Sequence, residues 1–339
     1  MEKFKEWYEN RHDYARQWKE KNGSKVMGFF CTYVPEEILY AADILPVRAL
    51  GSHQPQNVTE PHIFGMYCPF CRDVLAQGLQ GRYEYLDGIT IAQSCLHIRQ
   101  AYCSWDIHIP VEFSYYINMP HLDRGIDIMN RYRKLMRQAY ELRKSDNPPF
   151  TGLESMLMAA SSQMVDKREF SDYLEGLLKD LPKRKPDRDP GFRLMTIGSE
   201  DDDVVFTKMV EDAGSTIVIE DHCTGSRYFW NLVEPQEDRL AAIAARYVDR
   251  PACPTKDWPE RTRLPHILSL AREWDVQGAV IVQQKFCDPH ELDIPAIRKF
   301  LDKNGIKTLF LELDVTVPIG QFRIRVDAFL ETLSSEDLF

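Results

Sequence analysis

The sequence has no long apolar run and no excess of positive charge. Its 339 residues are 44% hydrophobic and 11% aromatic, but no run approaches the ~18 apolar residues of a membrane-spanning helix. The N-terminal segment from Met1 to Trp7 lacks the apolar core of a secretory signal, so we expect a cytoplasmic protein. A net charge of −10 disfavours nonspecific binding to nucleic acid. The composition therefore predicts a soluble, globular protein with no membrane or nucleic-acid partner.

A disulfide framework is also not expected, because the eight cysteines of a cytosolic chain are mostly reduced. Three of these cysteines follow predicted strands: Cys68, Cys95 and Cys287. In open α/β sheets, ligands collect beyond the carboxyl ends of the strands, so thiols from distant segments can meet at one cofactor. Thiolates select iron–sulfur clusters, zinc or copper(I). The pattern predicts a metal site that forms only when the chain folds.

Predicted strands alternate with helices in both halves of the chain, which indicates parallel sheets with right-handed crossovers. The fold class that we predict is α/β, with two Rossmann-like or flavodoxin-like, doubly wound parallel-sheet domains and a helical segment between them. A cleft between the two domains is then the expected place for a cofactor. The predicted strands are 25–34, 45–51, 86–92, 110–119, 192–198, 215–221, 276–283 and 307–313.

The predicted domain boundaries follow from a helical middle and a Pro-rich linker at 181–191. They give an N-terminal α/β domain at 1–124 with Cys68 and Cys95, a helical segment and linker at 125–190, and a C-terminal α/β domain at 191–339 with Cys287.

The Cys68-Pro69-Phe70-Cys71 motif allows other interpretations. A Cys-x-x-Cys pair at a helix start is typical of a redox dithiol, although that would leave the other two cysteines unexplained. A zinc site could use Cys68, Cys71, Cys95 and Cys103, but the second pair is spaced more widely than zinc sites usually are. Cysteine is also a common buried hydrophobic residue, and this is the preferred interpretation of Cys31, Cys103 and Cys253.

Five ordered motifs resemble the 2-hydroxyacyl-CoA dehydratase and benzoyl-CoA reductase family. They are FCTYVPEEILYAA followed by LPVR at 30–48, YCPFCR at 67–72, QSCLHIR at 93–99, QKFCDP at 284–289 and GQFRIRVDAF at 320–329. Two further segments, HIFG at 62–65 and DHCTGSR at 221–227, look closest to the substrate-binding subunits of ATP-dependent benzoyl-CoA reductase. The family usually has a longer insertion where this chain has residues 119–124, so a segment there is either trimmed or missing.

The resemblance implies a [4Fe–4S] cluster held by Cys68, Cys95 and Cys287, the cysteines at the matching positions. Three protein thiolates leave one iron with an open position; Cys71, one helical turn from Cys68, is a possible competing ligand. The resemblance also implies two kinds of partner, a homologous second substrate-binding subunit and ATP-hydrolysing iron–sulfur activator subunits. The sequence contains no Gly-x-x-x-x-Gly-Lys-Ser/Thr loop, so we expect ATP to bind the partner.

Other residues are candidates for binding acyl-CoA or moving protons. Guanidinium groups match phosphate oxygens, so coenzyme A could be bound by Gln321, Arg323 and Arg325, which could equally form a solvated helix face. Arg227 follows a small-residue turn that could present backbone N–H groups to an anion. Proton donors to a reduced ring could be Glu37, His97 and Tyr33, although each also has an ordinary structural interpretation as a helix-capping acid, a satisfied histidine and a packing tyrosine.

The resulting functional prediction is an oxygen-sensitive iron–sulfur oxidoreductase subunit from anaerobic aromatic degradation. It would bind benzoyl-CoA or a close analogue and reduce the ring by low-potential single-electron transfer that a partner drives with ATP. The first alternative is a 2-hydroxyacyl-CoA dehydratase subunit, which eliminates water through a ketyl radical. The second, from a different class, is a noncatalytic electron-transfer protein like the double-cubane cluster relatives.

Overall fold

The computed structural model describes residues 1–92, 95–114, 122–257 and 259–334. These residues form two compact units that alternate along the chain. Unit 1 comprises Met1–Arg137, Leu157–Gly176 and Phe229–Arg250, and unit 2 comprises Gln138–Met156, Leu177–Tyr228 and Pro251–Phe339. A four-stranded parallel sheet is present in each, which confirms the predicted fold class. The boundaries predicted at residues 124 and 190 stay predictions.

The sheet of unit 1 has the strand order β2-β1-β3-β4, with every neighbouring pair parallel. Its strands are β1 (Val26–Phe29), β2 (Leu45–Arg48), β3 (Gly88–Thr90) and β4 (Phe113–Ser114). They are shorter than predicted. The strand expected at 25–34 ends at Phe29, because the chain turns when Val34 N–H donates to the carbonyl of Cys31. The strand expected at 110–119 runs on into residues that lie outside the described ranges.

The sheet of unit 2 has the corresponding order, β6-β5-β7-β8, and is also parallel throughout. Its strands are β5 (Phe192–Gly198), β6 (Ser215–Asp221), β7 (Gly278–Gln284) and β8 (Lys307–Leu313). Every residue of β6 and β7 is buried. β7 lies inside the sheet, as expected for a strand covered on both faces, and β6, although an edge strand, is covered by helices. The bounds of β5, β6 and β8 agree with the prediction.

Helices connect the strands as right-handed crossovers require. In chain order they are α1 (Glu2–Glu9), α2 (Arg11–Asn22), α3 (Glu36–Ala41), α4 (Pro69–Leu79), α5 (Leu96–His108), α6 (Leu122–Glu141), α7 (Gly152–Ser162), α8 (Lys167–Leu177), α9 (Val204–Asp212), α10 (Ser226–Phe229), α11 (Arg239–Asp249), α12 (Arg263–Glu273), α13 (Asp288–Lys303) and α14 (Ile319–Ser334). α1 and α2 meet at Asn10, and α5 follows Cys95, where the sequence analysis placed no helix.

Amphipathic helices cover the sheet of unit 2. α14 buries Phe322, Val326 and Phe329 at three- and four-residue spacing, so these side chains share one helix face. They pack with Val280 and Val282 of β7 in one apolar cluster. None of the described helices is both long and apolar enough to cross a membrane.

Candidate functional site: cysteines at helix N-termini

All three predicted cluster cysteines occupy the N-cap position of a helix. Cys68 precedes α4, Cys95 precedes α5 and Cys287 precedes α13. Backbone N–H groups at the helix starts face two of these sulfurs: the Cys71 N–H interacts with Cys68, and the Ile98 N–H interacts with Cys95. The helix dipole places partial positive charge there, which favours thiolates and bound anions.

The position of Cys68 corrects one detail of the sequence analysis. We expected Cys68 just beyond a strand, but β2 ends at Arg48 and the irregular segment 49–67 follows. The cysteine is therefore positioned by the start of α4, with Pro69 in the first helical position, where a missing N–H costs nothing. Cys95 and Cys287 do follow β3 and β7 within a few residues.

The structure brings Cys68, Cys71 and Cys95 together in unit 1. The sulfur atoms of Cys68 and Cys71 are 3.1 Å apart, and the Cys71 thiol is also within hydrogen-bonding distance of Cys95. Cys71 is almost fully buried, whereas Cys95 is half-buried. Cys71 thus lies between the two predicted ligands.

The contacts among the three thiols shift their pKa values in opposite directions. Cys71 donates to its neighbours, which lowers the pKa of both Cys68 and Cys95. Burial raises the pKa of Cys71, and the adjacent sulfur atoms raise it further. Metal ligands must be thiolates. Cys68 and Cys95 therefore have the electrostatic environment of ligands, and Cys71 has that of a protonated hydrogen-bond donor.

His97 adds a second polar contact to this group of thiols. The backbone N–H of Cys68 donates to Nδ1 of His97 at 3.1 Å, and the Tyr67 ring packs edge-on against the imidazole at 4.7 Å. Its predicted role as a proton donor stays a prediction, since no substrate defines where a proton is needed. Apolar side chains flank the site and are exposed: Phe64, Met66 and Leu96.

Cys287 lies in unit 2, where its backbone is held on both sides. The Cys287 N–H donates to the carbonyl of Gln284, and Gln283 Nε2 donates to the carbonyl of Cys287 at 3.2 Å. The preceding residue, Phe286, has a φ of 60°, a conformation that bulky residues rarely adopt. Strain of this kind concentrates at functional sites, so it is consistent with a constrained thiol position.

The described residues contain no preformed metal-binding arrangement. No group of three or more His, Cys, Asp or Glu side chains in those ranges is arranged to coordinate a single ion. In unit 1 the Cys68 and Cys71 sulfurs contact each other instead. The donor chemistry nevertheless fits an iron–sulfur cluster, because low-pKa thiols are gathered at helix N-termini and a thiol donor faces them.

Glu37 and Tyr33, the other predicted proton donors, have structural partners within unit 1. Glu37 is fully buried and forms an ion pair with Arg133 at 2.8 Å. Tyr247 donates to Glu37 at 3.3 Å. The Tyr33 ring faces the Arg250 guanidinium at 4.3 Å. These contacts favour the structural interpretations, and the catalytic roles stay predictions.

Arg227 is fully buried in unit 2 and is surrounded by protein acceptors. Its guanidinium pairs with Asp221 at 3.3 Å and donates to the carbonyl of Ser199 at 2.7 Å. Arg263 also pairs with Asp221, at 2.7 Å. Burial alone would raise the pKa of Asp221, but the two guanidinium groups hold it well below its usual range. These contacts favour an internal role for Arg227, and the predicted binding of a substrate anion stays a prediction.

The last predicted binding residues lie on α14. Gln321 and Arg325 are exposed, and Arg323 is half-buried. Arg323 pairs with Asp327 at 2.8 Å, and Arg325 donates to the carbonyl of Phe310 at 2.7 Å. Their solvent-facing positions are compatible with binding to phosphate, a role that stays a prediction.

The remaining cysteines give a mixed outcome. Cys103 is exposed, so its interpretation as a buried hydrophobic residue is wrong, and Cys31 and Cys253 are half-buried. Sequence analysis missed the contact between Cys253 and Cys223, because the spacing of two cysteines 30 positions apart carries no motif. It also missed the location of Cys71 between Cys68 and Cys95.

A family model described as "2-hydroxyglutaryl-CoA dehydratase, D-component" matches residues 31–127 and 121–333. This covers most of the chain. The chain belongs to the 2-hydroxyglutaryl-CoA dehydratase D-component family. Membership confirms the family resemblance found in the sequence.

Curated relatives of this family member are named as subunits of acyl-CoA dehydratases and of a reductase. The (R)-phenyllactyl-CoA dehydratase beta subunit of Clostridium sporogenes is 26% identical over 97% of both chains. The beta subunit of (R)-2-hydroxyglutaryl-CoA dehydratase from Acidaminococcus fermentans is 24% identical, covering 92% of this chain and 93% of the relative. A benzoyl-CoA reductase subunit of Thauera aromatica is 22% identical over 86% of both.

Among solved structures, a GTP-binding protein from Sulfolobus solfataricus in complex with GDP is 10% identical. The comparison covers 91% of this chain and 99% of that chain with a TM-score of 0.26, which is too low to support an argument about fold or function.

Proposed function

We propose that this chain is the cluster-holding subunit of an enzyme that transforms an acyl-CoA thioester by single-electron chemistry. The observation that carries the proposal is the meeting of Cys68 and Cys95 around Cys71 at the starts of α4 and α5. Cys287, at the start of α13, is proposed as the third protein ligand. When bound, a [4Fe–4S] cluster would supply low-potential electrons and one iron with an open position.

Each nearby residue has a definite task in this proposal. The thiolates of Cys68 and Cys95 bind metal, and the N-termini of α4 and α5 stabilise their negative charge. Cys71 stays protonated and donates to sulfur, a contact that tunes reduction potential. The exposed side chains Phe64 and Met66 exclude water from the site when a partner or substrate covers them.

The reaction that we place first is reduction of the ring of an aromatic acyl-CoA, benzoyl-CoA or a close analogue. Its support is the resemblance of the segments HIFG and DHCTGSR to benzoyl-CoA reductase subunits, together with the relative from Thauera aromatica. Dehydration of a 2-hydroxyacyl-CoA is the second candidate, and the higher identities to the two dehydratase beta subunits favour it.

The relatives are named as subunits, so we propose that this chain also works in a hetero-oligomer. Its proposed partners are a homologous substrate-binding subunit and an ATP-hydrolysing iron–sulfur activator. Co-purification of both from the source organism under anaerobic conditions is the corresponding expectation.

Metal analysis of the anaerobically purified complex tests the cluster. We expect about four irons and matching sulfide per chain, with the electron paramagnetic resonance signal of a [4Fe–4S] centre. About eight irons would instead favour the noncatalytic electron-transfer alternative. Zinc in place of iron would reject every iron–sulfur version of the proposal.

Cysteine variants assign the ligands. Cys68→Ser and Cys95→Ser should lose most of the iron, whereas Cys71→Ser should keep it and shift the reduction potential. Cys103→Ser is the matched control because Cys103 is exposed on α5 and should keep both properties. Loss of iron in Cys71→Ser would make Cys71 a ligand and remove the open position.

Substrate turnover separates the two candidate reactions. The complex is incubated with activator, ATP and a strong reductant, and either benzoyl-CoA or (R)-phenyllactyl-CoA is supplied. Consumption of benzoyl-CoA supports ring reduction. Turnover of the 2-hydroxyacyl-CoA alone would replace ring reduction by dehydration while leaving the cluster assignment intact.

A further inference from the structure

Unit 2 contains a second pair of neighbouring cysteines, Cys223 and Cys253. Their thiols lie within hydrogen-bonding distance of each other. Cys223 is buried and Cys253 is half-buried, so Cys253 is the residue of the pair that lies nearer to solvent. The proposed cluster function uses neither residue, and the pair is independent of that proposal.

Backbone and side-chain contacts fix both residues. Cys223 follows β6, and its N–H donates to the carbonyl of Ser199 at 3.2 Å. The turn after it is tight, because a Cβ on Gly225 would come within 2.3 Å of Glu220 Cγ. The carbonyl of Cys253 accepts from Lys256 N–H at 2.8 Å. Hydrogen bonds therefore fix the backbone of both cysteines, which holds the two sulfurs in contact.

A buried positive charge faces the pair. Nη2 of Arg227 lies 3.6 Å from the Cys223 sulfur, and Thr255 Oγ1 donates to the Cys253 sulfur at 3.3 Å. The hydrogen bond from Cys223 lowers the pKa of Cys253, and the Arg227 charge lowers it further. The pair thus combines a stabilised thiolate on the less buried residue with a second thiol in contact with it, the arrangement that thiol–disulfide exchange requires.

We propose that Cys223 and Cys253 form a thiol–disulfide exchange site for low-molecular-weight disulfides, in which Cys253 attacks first and Cys223 resolves the mixed disulfide. Arg227 and Thr255 act as positioning residues that hold the two sulfurs in place.

The exchange balances with a small disulfide as the oxidant. The Cys253 thiolate attacks one sulfur of glutathione disulfide, so that a mixed disulfide forms and one glutathione thiolate leaves. Cys223 then gives up its proton and attacks the Cys253 sulfur, which releases the second glutathione. Two protein thiols are oxidised to one disulfide, and glutathione disulfide is reduced to two thiols.

Peptide mapping of the full chain tests the site. The anaerobically purified protein is exposed to glutathione disulfide, quenched with acid and N-ethylmaleimide, and digested with trypsin without reduction. Cleavage after Arg227 separates the two cysteines, so we expect a single mass that links the Cys223 peptide to the Cys253 peptide. Absence of this linked mass, under conditions in which Cys103 acquires glutathione, overturns the proposal.

Single variants test the order of attack. Cys223→Ser should accumulate glutathione on Cys253, and Cys253→Ser should leave Cys223 unmodified. Cys103→Ser should keep the link at the wild-type yield. Glutathione on Cys223 in the Cys253→Ser protein would reverse the assigned order and overturn it. Should Cys223→Ser not fold, Cys223→Ala provides the same readout, and the linked peptide in the wild type needs no variant.

Discussion

The two sheets have the same strand order but very different strands. In unit 1 the strands contain four, four, three and two residues, whereas every strand of unit 2 contains seven. Both are four-stranded and parallel. In each sheet the second strand in sequence lies at the edge and the first lies next to it. The same strand order thus occurs with short strands in unit 1 and with long strands in unit 2.

The difference shows how each unit is held together. Short strands in unit 1 leave long irregular segments, and one of these delivers Cys68 to α4; functional residues are commonly placed on such segments. Buried ion pairs join its helices, as between Lys167 and Glu36 at 3.0 Å. Unit 2 relies on a continuous apolar sheet core, beside which Arg263 contacts both Asp221 and His290.

Acid should destabilise unit 2 more than unit 1, and this is the largest difference that we expect between the two units. Burial lowers the pKa of His222 to about 3 and also depresses the pKa of His266 and His290, all in unit 2. An unfolded histidine titrates near pH 6.5. Below that pH the unfolded chain therefore binds protons that the folded unit does not bind. The stabilisation is complete above about pH 6.5 and declines as the pH falls. His222 should cost about 2 kcal/mol between pH 7 and 5, and His266 and His290 should add to the loss in the same direction.

Hydrogen exchange, corrected for intrinsic rates, measures this effect at peptide resolution. Peptides from β6 and α13 should lose protection at pH 5 before peptides from β1 and β2, because unit 1 has His12 as its strongly shifted histidine among the described residues. His222→Asn should flatten the pH dependence of unit 2, and His12→Asn should do so only in unit 1. Earlier loss of protection in unit 1 would contradict the prediction.

The same contrast explains what the sequence could predict. The bounds of β5, β6 and β8 were predictable because apolar runs there are flanked by clear helices and turns. The strand predicted at 25–34 was too long because Phe30 and Val34 are apolar but belong to a turn. α5 has a usable signal, since Ile98, Ala101 and Trp105 recur at helical spacing.

The thiol contacts could be predicted only in part. Their positions just after predicted strands indicated that Cys95 and Cys287 would occupy cofactor positions. Whether Cys71 points toward Cys95 depends on the rotation of α4 against α5, a packing result that no local pattern encodes. The contact between Cys223 and Cys253 likewise depends on tertiary structure alone.

Removing a buried charge should show that unit 1 depends on ion pairs. Arg133 is 1% exposed and pairs with fully buried Glu37, so Arg133→Met leaves an uncompensated carboxylate. We expect the free energy of unfolding to fall by about 3–5 kcal/mol. Denaturant unfolding measures the loss.

Arg131 of α6 provides the matched control, because it is exposed and pairs with Asp172 at the surface. Arg131→Met should cost less than about 1 kcal/mol. The double variant Arg133→Met with Glu37→Gln should recover part of the loss. Equal effects of the two arginine substitutions would show that the buried ion pair stabilises the protein no more than the surface ion pair does.

Glycines in the two sheets should differ in their tolerance of a methyl group. A Cβ on Gly88 of β3 would lie 2.4 Å from the backbone oxygen of Phe113, whereas one on Gly198 of β5 would lie 3.0 Å from that of Val282. Gly88→Ala must therefore separate β3 from the very short β4, at an expected cost of about 1–3 kcal/mol. Gly198→Ala should cost clearly less in the same denaturant measurement, and the reverse order would refute the comparison.

The smallest expected effect concerns how helices start in the two units. In unit 2, the Asp203 carboxylate caps α9 by accepting from Val205 N–H at 2.8 Å and Phe206 N–H at 2.9 Å. In unit 1, Cys68 begins α4 with a sulfur atom rather than a carboxylate facing the Cys71 N–H. Asp203→Ala should cost about 1 kcal/mol, measured as a lower denaturation midpoint. Cys68→Asp should match or exceed the wild-type midpoint in metal-free protein, because a carboxylate oxygen accepts backbone N–H hydrogen bonds more strongly than a sulfur atom. A lower midpoint for Cys68→Asp would mean that this helix start is already satisfied in another way and is not reserved for a bound anion.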